Sequence, residues 1–355
     1  MAGPGYRRIA SGGFGLLPEV RSSGRSGPRI ERQSHVEGRY EAGSTPNSRE
    51  VLRSWRWDMP FQFTGGFTMQ QPKHVVVTGS AGLVGSAIVR RLRAAGYLVV
   101  GVDRLPSPDT SVVAELRDPA AWRHALPGAG AVVHTAALHA PHVGVRSDDE
   151  FREINVGATR DLLDASSAAG VRRFVYTSST SVYGHALDPA DEAVWITEDV
   201  TCRPRDIYDE TKLAAERLVL SAAGAMSTVC LRIARCFPEP PAVLARHRLY
   251  RGVDIADVAE AHLLAVHRPQ EAAGVLNIAG PYPWWRAQDR RRLRHDPAAL
   301  ITQRVPEVAA GFDRHGWALP TSIDRVYVSA RAGSVLGYRP RRGVTALLAE
   351  VRTAG

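Results

Sequence analysis

Long apolar runs and cysteines are both scarce in this chain. No stretch reaches the roughly 18 consecutive apolar residues that a membrane-spanning helix needs, so the sequence predicts no membrane span. The three cysteines, Cys202, Cys230 and Cys236, have neither the spacing of metal ligands nor the pattern of a disulfide framework. We therefore expect a protein of a reducing compartment, the cytoplasm.

Lysine is nearly absent as well, because Lys73 and Lys212 are the only two in the chain. The other basic residues are arginines, and the formal net charge is +9. Residues 1–68 hold ten arginines and six acidic residues, so about four of these charges lie there. The remainder form no basic stripe and are not interleaved with aromatic residues. The composition therefore predicts no nucleic-acid partner.

The composition divides the chain into three parts. Residues 1–68 are rich in Gly, Ser, Arg and Pro without a sustained period, which predicts a disordered extension. We interpret this extension as not native, with Met69 as the expected start and Met59 as the alternative. Residues 69–236 are expected to form the nucleotide-binding core. Residues 237–355 are expected to combine a substrate lobe with elements that return to the core at 253–280.

Strand and helix patterns alternate after residue 73. Short β-branched runs predict strands, and amphipathic periods predict helices between them. The predicted strands lie near 74–78, 97–102, 111–116, 131–135, 172–177, 228–233 and 275–278. The predicted helices lie near 83–95, 119–125, 149–169, 208–223, 254–267 and 343–352. This order predicts an α/β fold, a doubly wound parallel sheet of the Rossmann type with a small C-terminal lobe.

The first predicted strand ends in a turn with glycine at positions 79, 82 and 85. Gly79 permits the tight turn, Gly82 lets the backbone approach a pyrophosphate, and Gly85 lets the helix pack closely on the strand. Asp103 ends the second strand, where a carboxylate binds the ribose hydroxyls of NAD and repels the 2′-phosphate of NADP, an effect that Arg104 offsets in part. NAD is therefore the predicted cofactor, against the alternative of a glycine-rich loop without a ligand.

Tyr208 and Lys212 are four residues apart in a predicted helix and therefore share one face. A lysine ammonium beside a phenol lowers the pKa of the phenol, which then acts as a general acid or base. Hydroxyl residues from Thr177 to Ser181 end a predicted strand at the same edge of the sheet, where a hydroxyl can orient a substrate oxygen. A solvated helix face and a strand-capping turn are the simpler alternatives.

Further segments extend these patterns: Glu115-Leu116-Arg117-Asp118, Val133-His134-Thr135-Ala136-Ala137, Asn155-Val156-x-Ala158-Thr159, and Pro204 ahead of the Tyr208–Lys212 pair. With Thr78-Gly79-x-x-Gly82-x-x-Gly85, they resemble the extended short-chain dehydrogenase/reductase family, also called the NAD-dependent epimerase/dehydratase family, from about Lys73 to Val351.

The resemblance implies Ser179, Tyr208 and Lys212 as catalytic residues, and Ser179, Thr180 and Arg232 as substrate-binding residues. It implies cofactor contacts from Gly79, Ala81, Gly82, Leu83, Val84, Gly85, Asp103, Arg104, Glu115, Leu116, His134, Ala136, Ala137, Asn155, Thr177, Tyr208 and Lys212.

Departures from the family pattern narrow the expected reaction. Thr180-Ser181 replaces the Asp-Glu pair of sugar-nucleotide dehydratases, and Arg235 replaces an Asn of UDP-galactose 4-epimerase-like members. Arg232-x-x-x-Cys236-x-Pro238-Glu239-Pro240 resembles uronate dehydrogenases, in which Arg232 would grip a substrate carboxylate. A structural ion pair of Arg232 is the alternative.

A metal site is not expected, because the spacing of His134, His139 and His142 converges poorly and no acidic partner is evident. The expected function is NAD-dependent oxidation or reduction of a hydroxyl-bearing carbon of a sugar, sugar acid or sugar nucleotide. The alternatives are an epimerase that recycles its cofactor in place and a non-catalytic NAD-binding regulator. By analogy with the family, we expect a homodimer formed through helices 149–169 and 208–223.

Overall fold

The computed structural model describes residues 74–186, 191–224, 226–268 and 273–353. The predicted extension, residues 1–68, lies outside the described residues. The strands are β1 Val75–Thr78, β2 Val99–Asp103, β3 Val112–Val113, β4 Ala131–His134, β5 Arg173–Ser179, β6 Val194–Ile196, β7 Ser227–Ile233, β8 Gly274–Ile278 and β9 Arg325–Tyr327. The main sheet is parallel, with the order β3-β2-β1-β4-β5-β7-β8, whereas β6 and β9 form a separate parallel pair.

The helices cover both faces of this sheet. They are α1 Leu83–Ala94, α2 Pro119–Trp122, α3 Asp148–Arg152, α4 Ala158–Ala168, α5 Ile207–Ser221, α6 Pro241–His247, α7 Ile255–His267, α8 Arg290–His295, α9 Pro297–Arg304, α10 Pro306–Arg314, α11 Ala330–Leu336 and α12 Val344–Thr353. A π-helical stretch, Glu153–Gly157, joins α3 to α4. No helix among the described residues is long and apolar enough to cross a membrane.

The core lies on the two faces of the main sheet because its strands are apolar on both sides. One layer packs Val77 and Val133 against Ile88 of α1 and Ala261 of α7. The opposite layer packs residues of the same strands against α4 and α5, among them Val132, Phe174, Leu162 and Val219. A strand buried on both faces has a continuous apolar sequence, which is why the strand positions were predictable.

The strand order reverses between β1 and β4, which pair side by side on opposite branches of the sheet. At such a switch point the loops beyond the strand ends diverge and leave a crevice. The predicted doubly wound parallel sheet is therefore confirmed.

The C-terminal lobe is helical, with a core that includes Trp285, Leu300 and Phe312. Its short helices, α6 and α8 to α10, and the β6–β9 pair were not predicted from the sequence. The predicted helix at 149–169 is also interrupted by the π-helical stretch.

Candidate active site

The glycine turn after β1 is held tightly by its surroundings. Gly79 has φ +72°, and a Cβ placed on Gly85 would lie 2.0 Å from the Gly79 carbonyl oxygen. A Cβ on Gly82 would meet only that same oxygen, at 3.3 Å. Gly82 caps α1 without a side chain, and the first turn contains no acidic residue. The first N–H groups and the positive end of the helix dipole therefore suit a pyrophosphate, so the residues present fit a dinucleotide.

Asp103 lies at the end of β2, beside this turn. Its carboxylate accepts hydrogen bonds from the backbone N–H groups of Ala81, at 3.0 Å, and Leu105, at 2.9 Å. The carboxylate is therefore fixed at the rim of the crevice, the position at which a ribose diol would be bound.

A cavity of about 820 Å³ runs along the ends of the strands. Most of the predicted site residues line it: Gly79, Ala81, Gly82, Leu83, Val84, Gly85, Asp103, Arg104, Glu115, Leu116, Ala136, Ala137, Thr177, Ser179, Thr180, Tyr208 and Lys212. The fold thus brings the glycine turn and the Tyr–Lys pair into one space.

The Tyr–Lys pair is anchored to β5 at Thr177 and Ser179, two residues apart on the strand. Ser179 is hydrogen bonded to the Tyr208 phenol. The Lys212 Nζ donates a hydrogen bond to the Thr177 carbonyl oxygen at 2.6 Å and lies 4.4 Å from the centre of the Tyr176 ring. Lys212 is only 3% exposed, so its ammonium is bound almost entirely by protein groups.

Burial changes the pKa values of both groups. Desolvation lowers the pKa of Lys212 from 10.5 to about 8, although the Glu216 carboxylate opposes this shift. Desolvation also raises the pKa of Tyr208 to about 12, and the hydrogen bond from Ser179 offsets only part of the increase. The spacing predicted a lowered phenol pKa; in the structure, burial outweighs any effect of the lysine, and Tyr208 is a phenol at neutral pH.

His134 and Asn155 were predicted to contact the cofactor, but the structure places their side chains behind the cavity wall. His134 is hydrogen bonded to Thr78 at 2.7 Å and to Thr159 at 2.9 Å, and desolvation lowers its pKa to about 3. Asn155 binds both backbone groups of Leu138. Both residues brace the loops that form the wall, and neither lines the cavity.

Arg232 requires a correction, because its guanidinium is not available to a substrate carboxylate. Its Nε and Nη2 donate to the two oxygens of Glu216, at 2.9 and 2.7 Å, and both side chains are buried. The alternative of a structural ion pair is what the structure shows.

One end of the cavity is basic, and its arginines were not predicted as site residues. The basic residues that line it are His139, His142, Arg205, Arg235, Arg251 and Arg325. Three of these arginines form ion pairs, with Asp209, Glu239 and Asp324. These residues lie far apart in the chain, so no local pattern could have grouped them.

Arg251 differs from these three arginines. It forms no ion pair among the described residues, and its Nε is buried without a hydrogen-bond partner. Its Nη2 lies 3.1 Å from His247 Nε2, while His247 Nδ1 lies 3.2 Å from Glu239. Burial lowers the pKa of His247 to about 4, so the neutral ring donates to Glu239 and accepts from Arg251. Its guanidinium also lies 5.4 Å from the centre of the Tyr250 ring, and its charge acts on the Asp324 carboxylate. Arg251 therefore contributes to the cavity lining a guanidinium that is held in place without an ion pair among the described residues.

The sheet order, the glycine turn and the Tyr–Lys pair define a Rossmann-fold protein with a dinucleotide site. The NAD dependent epimerase/dehydratase family matches residues 75–240. The UDP-glucose 4-epimerase of Streptomyces lividans is 30% identical over 325 residues, which cover 78% of this chain and 94% of that protein. The chain therefore belongs to the NAD-dependent epimerase/dehydratase family, whose cofactor is NAD.

Two further comparisons show how broad this family is. The 3 beta-hydroxysteroid dehydrogenase/Delta 5-->4-isomerase of Mycobacterium tuberculosis is 40% identical over 162 residues, 42% of this chain but only 43% of that relative's length. A crystal structure of a short-chain dehydrogenase/reductase superfamily protein from Agrobacterium tumefaciens with bound NAD has a TM-score of 0.61 and 29% identity, covering 79% of this chain and 96% of that chain.

Proposed function

We propose that the protein is an NAD-dependent oxidoreductase that acts on a hydroxyl-bearing carbon of an anionic sugar substrate, a sugar acid or sugar nucleotide. The observation that carries this proposal is the placement of Ser179, Tyr208 and Lys212 in the cavity that begins at the glycine turn. Bound NAD or NADH would supply the hydride acceptor or donor, held by the turn and by Asp103.

The protein groups would handle the proton. Ser179 orients the substrate oxygen through its hydroxyl, next to the Tyr208 phenol to which it is bonded. In reduction, the phenol donates its proton to the carbonyl oxygen. In oxidation, a phenolate accepts the hydroxyl proton, and the ammonium of Lys212 favours that phenolate. Because burial holds the pKa of Tyr208 at about 12, oxidation should accelerate with rising pH.

The basic end of the cavity supports an anionic substrate. Arg251 lines the cavity and forms no ion pair among the described residues, and a carboxylate or phosphate is the group that pairs best with a guanidinium. The Streptomyces lividans relative, a UDP-glucose 4-epimerase, is consistent with this substrate class. The steroid dehydrogenase relative matches less than half of its own length and favours a neutral substrate instead.

Arg251→Met tests the substrate class. Screening NADH formation with uronic acids, UDP-glucose, neutral sugars and a 3β-hydroxysteroid should identify an anionic substrate. With it, Arg251→Met should raise KM about 10- to 100-fold with little change in kcat, since a hydrogen bond to a charged group contributes about 1.5–3 kcal/mol. The exposed Arg246→Met is the matched control. Turnover of only neutral sugars or the steroid would overturn the substrate class.

An epimerase that recycles its cofactor is the second candidate, favoured by the full-length similarity to a UDP-glucose 4-epimerase. Purification without added nucleotide, followed by denaturation and analysis of the nucleotide released, separates the two. Stoichiometric NAD would favour the epimerase, whereas an empty protein that binds NAD weakly would favour the dehydrogenase. Loss of activity in Tyr208→Phe would exclude a purely regulatory NAD-binding role. The expected cytoplasmic location and homodimer stay predictions.

A further inference from the structure

A buried carboxylate beside the Tyr–Lys pair has no role in the proposed proton transfer. Glu216 lies one turn after Lys212 on α5, and its side chain is 2% exposed. One carboxylate oxygen accepts hydrogen bonds from Ser178 Oγ at 2.5 Å and from Arg232 Nε at 2.9 Å. The other accepts from Arg232 Nη2 at 2.7 Å.

These contacts connect α5 to two neighbouring strands, β5 and β7, at residues that lie side by side in the sheet. Ser178 on β5 and Arg232 on β7 are directly paired in the sheet register. Because side chains alternate along a strand, Ser178 points toward α5 while the next residue, Ser179, points into the cavity. The bond to Glu216 therefore fixes the strand segment that carries Ser179.

Three consecutive residues of β5 thus contact three residues spaced four apart on α5. Ser179 contacts Tyr208, the Thr177 carbonyl accepts from Lys212, and Ser178 donates to Glu216. Two of these contacts involve the proposed catalytic groups. The third contact, between Ser178 and Glu216, lies between the other two on the strand and joins the same strand to the same helix.

The charge of Glu216 also acts on Lys212, one helical turn away. The titratable groups around the Lys212 ammonium are Tyr176 from β5, Cys230 from β7, His134 from β4, His139 from the loop after β4, and Tyr208 and Glu216 from its own helix. Glu216 is the anionic member of this group at neutral pH, because burial raises the pKa of Tyr176 and of Cys230 and keeps His134 uncharged. Burying an ion pair costs desolvation energy, and apolar residues would fill the same space more cheaply.

We propose that Glu216 is a positioning residue for the reaction: it holds Ser179 in place through Ser178 and Arg232, and it keeps the buried Lys212 side chain protonated. This inference rests on the proposed function for the role of Ser179 and Lys212. Neither substrate nor cofactor contacts Glu216 in this role.

The scarcity of lysine permits a direct test on the full chain. Protein labelled with [13Cε]lysine should give two signals, from Lys73 and Lys212, and Lys73→Arg assigns them. In Glu216→Gln, the Lys212 signal should titrate at a pH lower by about one unit or more, because an opposite charge has been removed nearby. The Lys73 signal should not move. An unchanged Lys212 titration in a folded variant would overturn the electrostatic part of the proposal.

Two further variants test the positioning of Ser179 and provide for the case in which Glu216→Gln does not fold. Ser178→Ala removes one hydrogen bond and no charge, and should lower kcat about tenfold with KM for NAD unchanged. If Glu216→Gln does not fold, the double variant Glu216→Gln with Arg232→Met removes both buried charges and should shift the Lys212 titration in the same direction but by less, because the loss of the arginine cation opposes the loss of the carboxylate. Asp289→Asn with Arg304→Met, an ion pair of the lobe in which Asp289 is buried and Arg304 is half-buried, is the control and should leave both readouts unchanged.

The outcomes separate this inference from the proposed function. The Lys212 titration needs no substrate, so it reports on Glu216 even if no activity is found. Full kcat in Ser178→Ala would overturn the positioning of Ser179. Full activity in Tyr208→Phe would instead overturn the proposed function while leaving the titration result standing.

Discussion

Lys212→Met should make the protein more stable at neutral pH while abolishing its activity. The reason is the cost of burying the ammonium. In the folded state the pKa of Lys212 is lowered from 10.5 to about 8, so the unfolded chain holds this proton more tightly than the native protein does. A difference of about 2.5 pKa units at about 1.4 kcal/mol per unit corresponds to roughly 3 kcal/mol lost to folding below pH 8.

The lowered pKa of Lys212 makes the stability of the wild type depend on pH. Because the folded pKa is depressed for a basic group, the unfolding free energy of the wild type should rise as pH increases from about 8 to 10.5. Roughly 2 kcal/mol of the cost should be relieved between pH 7 and pH 9.5. Methionine carries no proton and fills a similar volume, so the variant should lack this component. The lost hydrogen bond to Thr177 offsets about 1 kcal/mol.

Urea unfolding of both proteins at pH 7 and pH 9.5 measures these quantities. We expect the variant to be about 2 kcal/mol more stable at pH 7 and near parity at pH 9.5. The comparison between the two pH values cancels packing changes, which do not titrate. A variant less stable than the wild type by the same amount at both values would refute the assignment of Lys212 as a costly buried cation.

Two further predictions concern the cofactor site. In urea unfolding, Gly85→Ala should destabilise the protein by about 3 kcal/mol or more, since its Cβ would overlap Gly79. Gly82→Ala should leave the unfolding midpoint near that of the wild type. The same variant should weaken NAD binding, measured by calorimetry, about tenfold. Asp103→Asn should raise the affinity for NADP relative to NAD about tenfold in the same assay, because it removes the charge that repels a 2′-phosphate.

Both predictions about the cofactor site can be contradicted by a specific result. Equal stability of the two glycine variants would mean that the turn relaxes more freely than its contacts indicate. An unchanged nucleotide preference in Asp103→Asn would mean that selection between NAD and NADP depends on other groups, with Arg104 the first to examine.

Local patterns were enough to predict the sheet and the face of α5 that carries Tyr208 and Lys212. The β-branched runs at Val75 and Phe174 must be apolar because both faces of the sheet are covered, and that requirement is visible in one segment at a time. The spacing of Tyr208 and Lys212 is likewise local. The helices of the C-terminal lobe were not predicted because α8 to α10 are short and their apolar residues pack against several different elements.

Residues whose role depends on distant partners were assigned less well. Arg232 was given a substrate role because the sequence does not show that Glu216, sixteen positions earlier on another element, occupies its guanidinium. A repeat of the four-residue spacing from Tyr208 through Lys212 to Glu216 was the one local pattern that pointed to this carboxylate. His134 was assigned a cofactor contact because its segment resembles a family motif, but its ring is bound by Thr78 and Thr159 instead.

The same burial that lowers stability explains why the site needs so many internal bonds. An ammonium exposed to water would be held by solvent and would influence the phenol only weakly, because water screens the charge. Once Lys212 is buried, its charge acts at close range, yet the ammonium would lose its proton near neutral pH without a nearby anion. Glu216 can supply that charge only if its own carboxylate is satisfied, and Arg232 and Ser178 do this. Arg232 therefore acts on Lys212 through Glu216. For this reason a substitution of Arg232 should change the pKa of Lys212.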